Sequence, residues 1–162
     1  MATKHQPYSV FSNQDIPKSA DVKVGIVVSE WNGDITEKLF QGAYTTLLEN
    51  GVSKNNIFIY KVPGAFELPL ACKMLINKNT IDGVIAIGVV IQGETKHFDY
   101  VCQGTTQGLM QCQLDTLKPI SFCLLTDQNK QQSIDRSGGK YGNKGIESAI
   151  TCLKMIHFIK NL

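Results

Sequence analysis

The chain has 162 residues, of which 43% are hydrophobic and 19% charged, and this composition fits one compact domain with its own core. A formal net charge of +2, with scattered lysines and no interleaved aromatic stripe, argues against a nucleic-acid-binding protein. No apolar run approaches the roughly 18 to 20 residues of a membrane span, and residues 1–14 lack the apolar segment of a secretory signal. We therefore expect a cytoplasmic protein that contacts no membrane.

The first twenty residues read as an arm rather than as part of the core. Residues 1–20 are mixed and polar, and only Tyr8, Val10 and Phe11 form a short stretch that could be extended. Such a segment has little to bury against its own domain, so it is either loose or laid on a neighbouring subunit. The domain itself is predicted to occupy residues 21–162.

Alternating apolar runs and helical patterns follow in chain order. Strands are predicted at residues 21–29, 57–62, 81–87 and 120–125, and helices at 34–50, from the turn at 63–69 to about 78, at 97–117, 130–137 and 144–159. In the first helix, Asp34 is predicted as N-cap and Gly51 as the C-terminal stop. This order implies a single-domain, three-layer α/β/α fold of the flavodoxin-like kind, with a four-stranded parallel sheet covered on both faces.

The cysteines do not indicate a metal site or a disulfide framework. There are five of them, an odd number, and no two form a Cys-x-x-Cys pair. Each falls within an apolar pattern, so we predict small, buried hydrophobic residues.

The carboxyl ends of the predicted strands indicate where a ligand binds. Parallel strands end at the same edge of a sheet, where open α/β sheets bind ligands. That edge is predicted to carry Trp31 and Asn32, residues 65–67, residues 89–95 with His97, and Thr126. His97 opens a helix directly after a polar turn, a position suited to anion binding and proton transfer.

Each of these residues also has a structural interpretation that the sequence leaves open. A histidine in the first turn of a helix is often only solvated or capping, and Trp31 could be ordinary packing. Glu67 could be favoured by the dipole of the helix that follows it, and Lys144 could lie on a solvated face. Arg136 is the only arginine among sixteen basic residues. Its presence is either a matter of chance or reflects a need for a planar guanidinium that donates two parallel hydrogen bonds, for example to a phosphate.

Several signatures of known chemistry are absent from the sequence. There is no phosphate-binding G-x-x-x-x-G-K-[ST] loop, no G-x-G-x-x-G or G-x-S-x-G motif, and no His-x-x-x-His pair. The remaining candidates suit a flat heteroaromatic substrate stacked on Trp31, a hydroxyl group held by Glu67, and an anion held by helix-terminal N–H groups with Arg136.

Three long segments, at residues 62–69, 88–101 and 135–145, resemble the signature segments of the 6,7-dimethyl-8-ribityllumazine synthase family of riboflavin biosynthesis. The resemblance runs from about Val22 to the C-terminus. It implies condensation of 5-amino-6-(D-ribitylamino)uracil with 3,4-dihydroxy-2-butanone 4-phosphate, through imine formation, loss of phosphate and ring closure with loss of water. It also implies that the enzyme uses no metal and no organic cofactor.

The resemblance assigns roles to the candidate residues. His97 matches the proton-transfer residue and Arg136 the phosphate-binding arginine. Trp31 and Asn32 match residues that meet the pyrimidine; Ala65, Phe66, Glu67, Val89, Val90 and Ile91 match the lining of the ring and ribityl pocket; Glu94 and Thr95 match residues that meet the phosphate. Phe122, Arg136 and Lys144 are implied to enter the site from the neighbouring subunit of a pentameric ring.

The resemblance also implies assembly into a homo-oligomer. The short loop at residues 138–143 is similar to that of members that build a hollow icosahedral shell from twelve pentamers, with the N-terminal arm pairing across subunits. Riboflavin synthase is an implied partner. Trp31 stands where members usually carry Phe, which leaves riboflavin affinity open, and Tyr141 departs from the loop pattern. A flavin carrier without catalysis and a shell protein with a vestigial pocket are the alternative interpretations.

Overall fold

The fold is described from a computed structural model, which describes residues 16, 18–78 and 80–162. Four strands form a parallel sheet: β1 (Val24–Ser29), β2 (Ile57–Val62), β3 (Gly83–Ile91) and β4 (Ile120–Asp127). Their spatial order is β2-β1-β3-β4. The predicted four-stranded parallel sheet is confirmed.

Five helices cover the sheet on both faces, as predicted. They are α1 (Gly33–Glu49), α2 (Leu68–Lys78), α3 (His97–Thr116), α4 (Lys130–Arg136) and α5 (Lys144–Lys160). One hydrophobic cluster packs α1 and α5 against the sheet, and a second packs α2 and α3 against the opposite face. Every residue of β1 is buried because the strand is central and covered on both sides, which explains why its sequence is an apolar run without alternation.

Strand β3 is longer than its predicted end at residue 87. The ladder between β3 and β4 continues to the pair Ile91 and Asp127, and the Gln92 N–H donates to the Asp127 carbonyl oxygen at 2.9 Å. Gly88 lies inside this ladder, where it pairs with Leu124. Val89 to Ile91 are therefore strand residues and not part of the turn. They consequently present their backbone and side chains in a fixed register at the edge of the sheet.

The start of α1 differs from the prediction that Asp34 is its N-cap. The cap is Asn32, in a left-handed conformation (φ 59°, ψ 45°), and its carbonyl oxygen accepts from Ile35 and Thr36 N–H. Asp34 lies inside the first turn and pairs with Lys130 at 2.7 Å, and this hydrogen bond lowers the pKa of Asp34. The predicted stop is confirmed, since Gly51 follows the helix with φ 87°.

The glycine-rich segment before α5 was predicted as a loop and contains two short antiparallel strands, β5 (Ser137–Gly139) and β6 (Gly142–Asn143). Asn143 caps α5 by accepting from the Gly145 N–H at 2.8 Å, and its amide donates to the Lys38 carbonyl oxygen at 2.9 Å. A Cβ atom on Gly145 would collide with the Leu39 carbonyl oxygen. Glycine is therefore required for the close approach of α5 to α1, which fixes the position of Lys144.

Four of the five cysteines are buried, as predicted: Cys72, Cys112, Cys123 and Cys152. Cys102 is only half-buried, and none of the five forms a disulfide. Burial raises the pKa of the Cys123 and Cys152 thiols to about 12. Within the described residues no cluster of His, Cys, Asp or Glu could hold a metal ion, and no helix there has the length and apolarity to span a membrane.

The predicted N-terminal arm, residues 1–20, lies largely outside the described residues. Where the described chain resumes, Ser19 is buried, and its N–H donates to the Asn50 carbonyl oxygen at 3.2 Å. The Ser19 hydroxyl is hydrogen-bonded to Nε2 of His157 at 2.9 Å. The segment that enters β1 is thus attached to both α1 and α5.

Candidate active site

A cleft of about 740 Å³ opens at the carboxyl ends of the three strands β1, β2 and β3. Its walls come from four elements: Trp31 and Asn32 after β1; Gly64, Ala65, Phe66 and Glu67 after β2; Val89, Val90, Ile91, Gly93 and Thr95 at and after β3; and His97, Phe98, Tyr100 and Val101 on α3. This is the sheet edge at which ligands bind in open α/β folds.

The turn after β1 carries an indole ring that is exposed to solvent. Trp31 is 73% exposed, so its side chain is not packed in the core. The backbone N–H of Trp31 donates to the Pro63 carbonyl oxygen at 3.1 Å and so continues the ladder between β1 and β2. The neighbouring Asn32 amide donates to the Val89 carbonyl oxygen at 3.3 Å. The backbone is therefore fixed on both sides, and the ring is available for stacking on a flat ligand.

The wall after β2 is a 3₁₀ turn at Ala65–Glu67 that leads into α2. The Ala65 carbonyl oxygen accepts from Thr105 Oγ1 of α3 at 3.3 Å, and the Phe66 ring lies so close to Gly104 that a Cβ there would come within 2.8 Å of it. Glu67 is exposed to the cleft, and its carboxylate has no hydrogen bond or ion pair within the described chain. This carboxylate is free to accept from hydroxyl groups of a ligand.

The third wall contains the predicted proton-transfer residue. His97 is the first residue of α3, and its N–H donates to Thr95 Oγ1 at 3.3 Å. The N-cap residue Lys96 makes no side-chain capping bond. The imidazole is exposed in the cleft, and its ring nitrogens make no hydrogen bond to the residues that the structure describes. The first turn of α3 can therefore present both N–H groups and an imidazole to a bound anion.

Four of the predicted site residues do not line this cleft. Glu94 is in the loop after β3 and is not among the lining residues, and Phe122 is 48% exposed on β4. Arg136 ends α4. Lys144 begins α5, where its Nζ contacts both carboxylate oxygens of Glu147 at 2.9 and 2.8 Å. Within a single chain, the predicted stacking residue Trp31 and the predicted proton-transfer residue His97 thus line one cleft, whereas Arg136 and Lys144 do not line it.

Arg136 contacts three groups of its own chain that were not predicted to meet it. Its Nη1 donates to the Gln132 carbonyl oxygen at 2.9 Å and lies 3.8 Å from Asp127 Oδ1. The ring centroid of Tyr141 is 5.1 Å from Arg136 Cζ. Asp127 is itself buried and accepts from Ser133 Oγ at 2.7 Å.

Sequence reasoning also missed part of the cleft itself. Gly64, Phe98, Tyr100 and Val101 line it although none was predicted to do so, whereas Gly93 lies within the predicted residues 89–95. The available signal was that all four lie inside the segments 62–69 and 88–101 that carry the family resemblance.

Comparison with known proteins identifies the family of this chain. The family model for 6,7-dimethyl-8-ribityllumazine synthase matches residues 21–160. The 6,7-dimethyl-8-ribityllumazine synthase of Christiangramia forsetii is 51% identical over 162 residues, which cover 99% of this chain and 96% of that protein. The proteins of the same name from Flavobacterium johnsoniae (50% identical; 97% and 83% covered) and Porphyromonas gingivalis (48%; 96% and 96%) are similar to it over almost the same length. The chain belongs to the 6,7-dimethyl-8-ribityllumazine synthase family.

Proposed function

We propose that the cleft at β1, β2 and β3 is the active site in which this chain carries out the reaction of its family. That reaction condenses 5-amino-6-(D-ribitylamino)uracil with 3,4-dihydroxy-2-butanone 4-phosphate to 6,7-dimethyl-8-ribityllumazine, with release of phosphate and water. The observation that carries the proposal is the convergence of Trp31, Glu67 and His97, from three separate elements, on one cleft of about 740 Å³.

The pyrimidine ring is proposed to stack on Trp31. An exposed indole beside a cleft offers a flat apolar face, and a stacked aromatic pair contributes about 0.5–1.5 kcal/mol beyond area burial. The ribityl chain then runs towards the free carboxylate of Glu67, past the backbone of Val89 to Ile91. Ala65 and Phe66 close that side of the pocket.

His97 is proposed to transfer the protons that imine formation and phosphate loss require. Imidazole is the side chain best suited to give and accept protons near neutral pH, and this one faces the cleft without a competing partner in the described chain. Glu94, Thr95 and the first turn of α3 are proposed to meet the phosphate. No metal or organic cofactor is needed for these steps, and positioning of the two reactants supplies much of the rate.

The site is proposed to be completed by a second subunit. Arg136, Lys144 and Phe122 do not line the cleft of their own chain, so they serve the cleft of the next subunit in a homopentameric ring. Large exposed hydrophobic residues on α3, directly after it and on β4 support this assembly, since contact with a neighbouring subunit would remove them from water; they are Met110, Leu114, Leu117 and Phe122.

Further assembly is part of the same proposal. Among the residues that the structure describes, β2 is an edge strand with Ile59 and Tyr60 exposed, and an edge of this kind accepts another strand. The N-terminal arm of a neighbouring subunit is the proposed occupant, in a ring that either stays a pentamer or joins eleven others in an icosahedral shell. We place the enzyme in the cytoplasm, with riboflavin synthase as a partner.

One assay tests the catalytic part of the proposal. Purified protein is mixed with both substrates, and the lumazine absorbance and the released phosphate are followed together. Turnover producing one phosphate per lumazine is expected. A flavin carrier or a vestigial shell protein would bind a ligand without producing either signal. In that case Trp31→Ala should weaken ligand binding, and turnover should be absent with and without the substitution. Native mass measurement tests the assembly, because a stable monomer would contradict the shared site.

A further inference from the structure

We infer that Asp127 and Tyr141 are positioning residues that hold the guanidinium of Arg136 in the orientation in which it binds the phosphate group of the substrate. The inference rests on the proposed role of Arg136. It concerns how this chain prepares that residue before any ligand or neighbouring subunit is present.

Asp127 supports Arg136 from the end of β4. Its carboxylate is buried, and a buried carboxylate is costly unless hydrogen bonds or a cation compensate it. Oδ2 accepts from Ser133 Oγ at 2.7 Å, and Oδ1 faces Arg136 Nη1 at 3.8 Å. The serine bond fixes the rotamer of the carboxylate, so the negative charge stays beside one end of the guanidinium.

Tyr141 supports the guanidinium from the loop between β5 and β6. Its ring centroid lies 5.1 Å from Arg136 Cζ and 5.3 Å from Lys140 Nζ, within the range of cation–π attraction. The Tyr141 N–H donates to the Asp135 carbonyl oxygen at 2.7 Å, which ties the tip of the loop to the end of α4. This backbone hydrogen bond to Asp135, the residue before Arg136, therefore holds the Tyr141 ring against the guanidinium.

These contacts leave one side of the guanidinium open. Nη1 is occupied by the Gln132 carbonyl oxygen at 2.9 Å, whereas Nε and Nη2 make no hydrogen bond to any residue that the structure describes. Those two N–H groups form the fork that binds two oxygens of a phosphate. A fork that is already oriented loses less conformational freedom on binding, so affinity for the phosphate substrate should depend on the residues that orient it.

The role of Tyr141 is tested with a matched pair of variants. Tyr141→Phe keeps the aromatic face, and Tyr141→Leu keeps apolar bulk without it. We expect KM for the butanone phosphate to stay near wild type in the Phe variant and to rise about three- to fivefold in the Leu variant, with kcat and KM for the pyrimidine unchanged. The inhibition constant of inorganic phosphate should rise in parallel. Equal values in the two variants would overturn the role of Tyr141.

The role of Asp127 is tested by a substitution in which loss of charge and loss of positioning change phosphate affinity in opposite directions. Asp127→Asn removes a negative charge near the proposed phosphate site, so charge alone predicts tighter phosphate binding. Loss of positioning predicts weaker binding, and we expect KM for the butanone phosphate to rise about fivefold. The amide can still bond to Ser133, and thermal unfolding checks that the fold is intact. Tighter binding of inorganic phosphate would overturn the role of Asp127.

A double-mutant cycle separates this inference from the proposed function. In an Arg136→Ala background, neither Tyr141→Leu nor Asp127→Asn should weaken phosphate binding further, because both act through the arginine. A raised KM in Arg136→Ala, with no effect of Tyr141→Leu or Asp127→Asn alone, would overturn the positioning role and leave the phosphate role of Arg136 standing. An unchanged KM in Arg136→Ala would overturn both.

Discussion

Asn32 donates a hydrogen bond from its side-chain amide to the Val89 carbonyl oxygen, and this bond of 3.3 Å joins the carboxyl ends of β1 and β3 across the floor of the cleft. The same residue adopts a left-handed backbone conformation and begins α1. One side chain therefore sets the direction in which the chain leaves β1, and with it the position of the adjacent Trp31 ring.

Replacing Asn32 should separate these two contributions. Asn32→Gly removes the hydrogen bond but tolerates φ 59°, whereas Asn32→Ala removes the bond and places a Cβ in the left-handed region. We expect Asn32→Gly to lower the free energy of unfolding by about 1 kcal/mol and Asn32→Ala by about 1–2 kcal/mol more. Denaturant unfolding measures both, and equal losses would contradict the backbone argument.

Replacing His97 should slow the enzyme without silencing it. His97→Ala removes one acid–base group, which contributes on the order of a hundredfold or more, while the pocket still holds the two reactants in attack geometry. We expect kcat to fall about a hundredfold with a measurable residual rate above the uncatalysed reaction. Steady-state kinetics on folded, assembled protein give the answer. Complete loss of turnover would mean that positioning contributes far less than proposed.

Two buried serines should respond in opposite ways to the loss of their hydroxyl groups. Ser29 and Ser133 are both fully buried, but Ser29 Oγ has no partner in the described chain, whereas Ser133 Oγ donates to Asp127. Ser29→Ala should leave the free energy of unfolding unchanged or raise it, because an unsatisfied hydroxyl is removed; Ser133→Ala should lower it by about 1–3 kcal/mol. Similar losses in both variants, measured by denaturant unfolding, would refute this contrast.

The buried thiols predict a loss of stability at alkaline pH. Burial raises the pKa of Cys123 and Cys152 from 9.0 to about 12, so the folded chain keeps these protons after the unfolded chain has released them. Stability from this source is complete below pH 9 and falls as the pH rises from 9 towards 12. We expect a shallower decline in Cys123→Ala than in wild type, measured as the free energy of unfolding against pH. Parallel curves would show that the thiol does not contribute.

Local pattern was sufficient to predict the order of the elements. The burial of β1 and the amphipathic spacing of α5 are determined by which residues can be removed from water, so composition and periodicity indicate them directly. Gly51 marked the end of α1 because a left-handed stop is a backbone property of that residue. The candidate residues Trp31, Glu67 and His97 were predicted at one edge because a parallel sheet brings its strand ends together.

Features that depend on distant partners were not predictable in the same way. Asn32 caps α1 in a conformation fixed partly by its bond to Val89, whereas local propensity favoured Asp34. Asp127 lies beyond the predicted end of β4 at residue 125, and its burial depends on Ser133 and Arg136 from a later helix. The cleft residue Tyr100 gave no signal of its own, because an exposed aromatic on a helix has no distinctive spacing.

The central claim is that His97 of one chain and Arg136 of the next act in the same cleft. It is tested by assembling mixed rings from His97→Ala and Arg136→Ala subunits, each of which is impaired alone. Because a ring contact is head-to-tail, about one quarter of the sites in randomly mixed rings should combine two unaltered residues, so turnover should rise to about a quarter of the wild-type value. Turnover equal to the mean of the two parent variants, at every mixing ratio, would contradict the shared site.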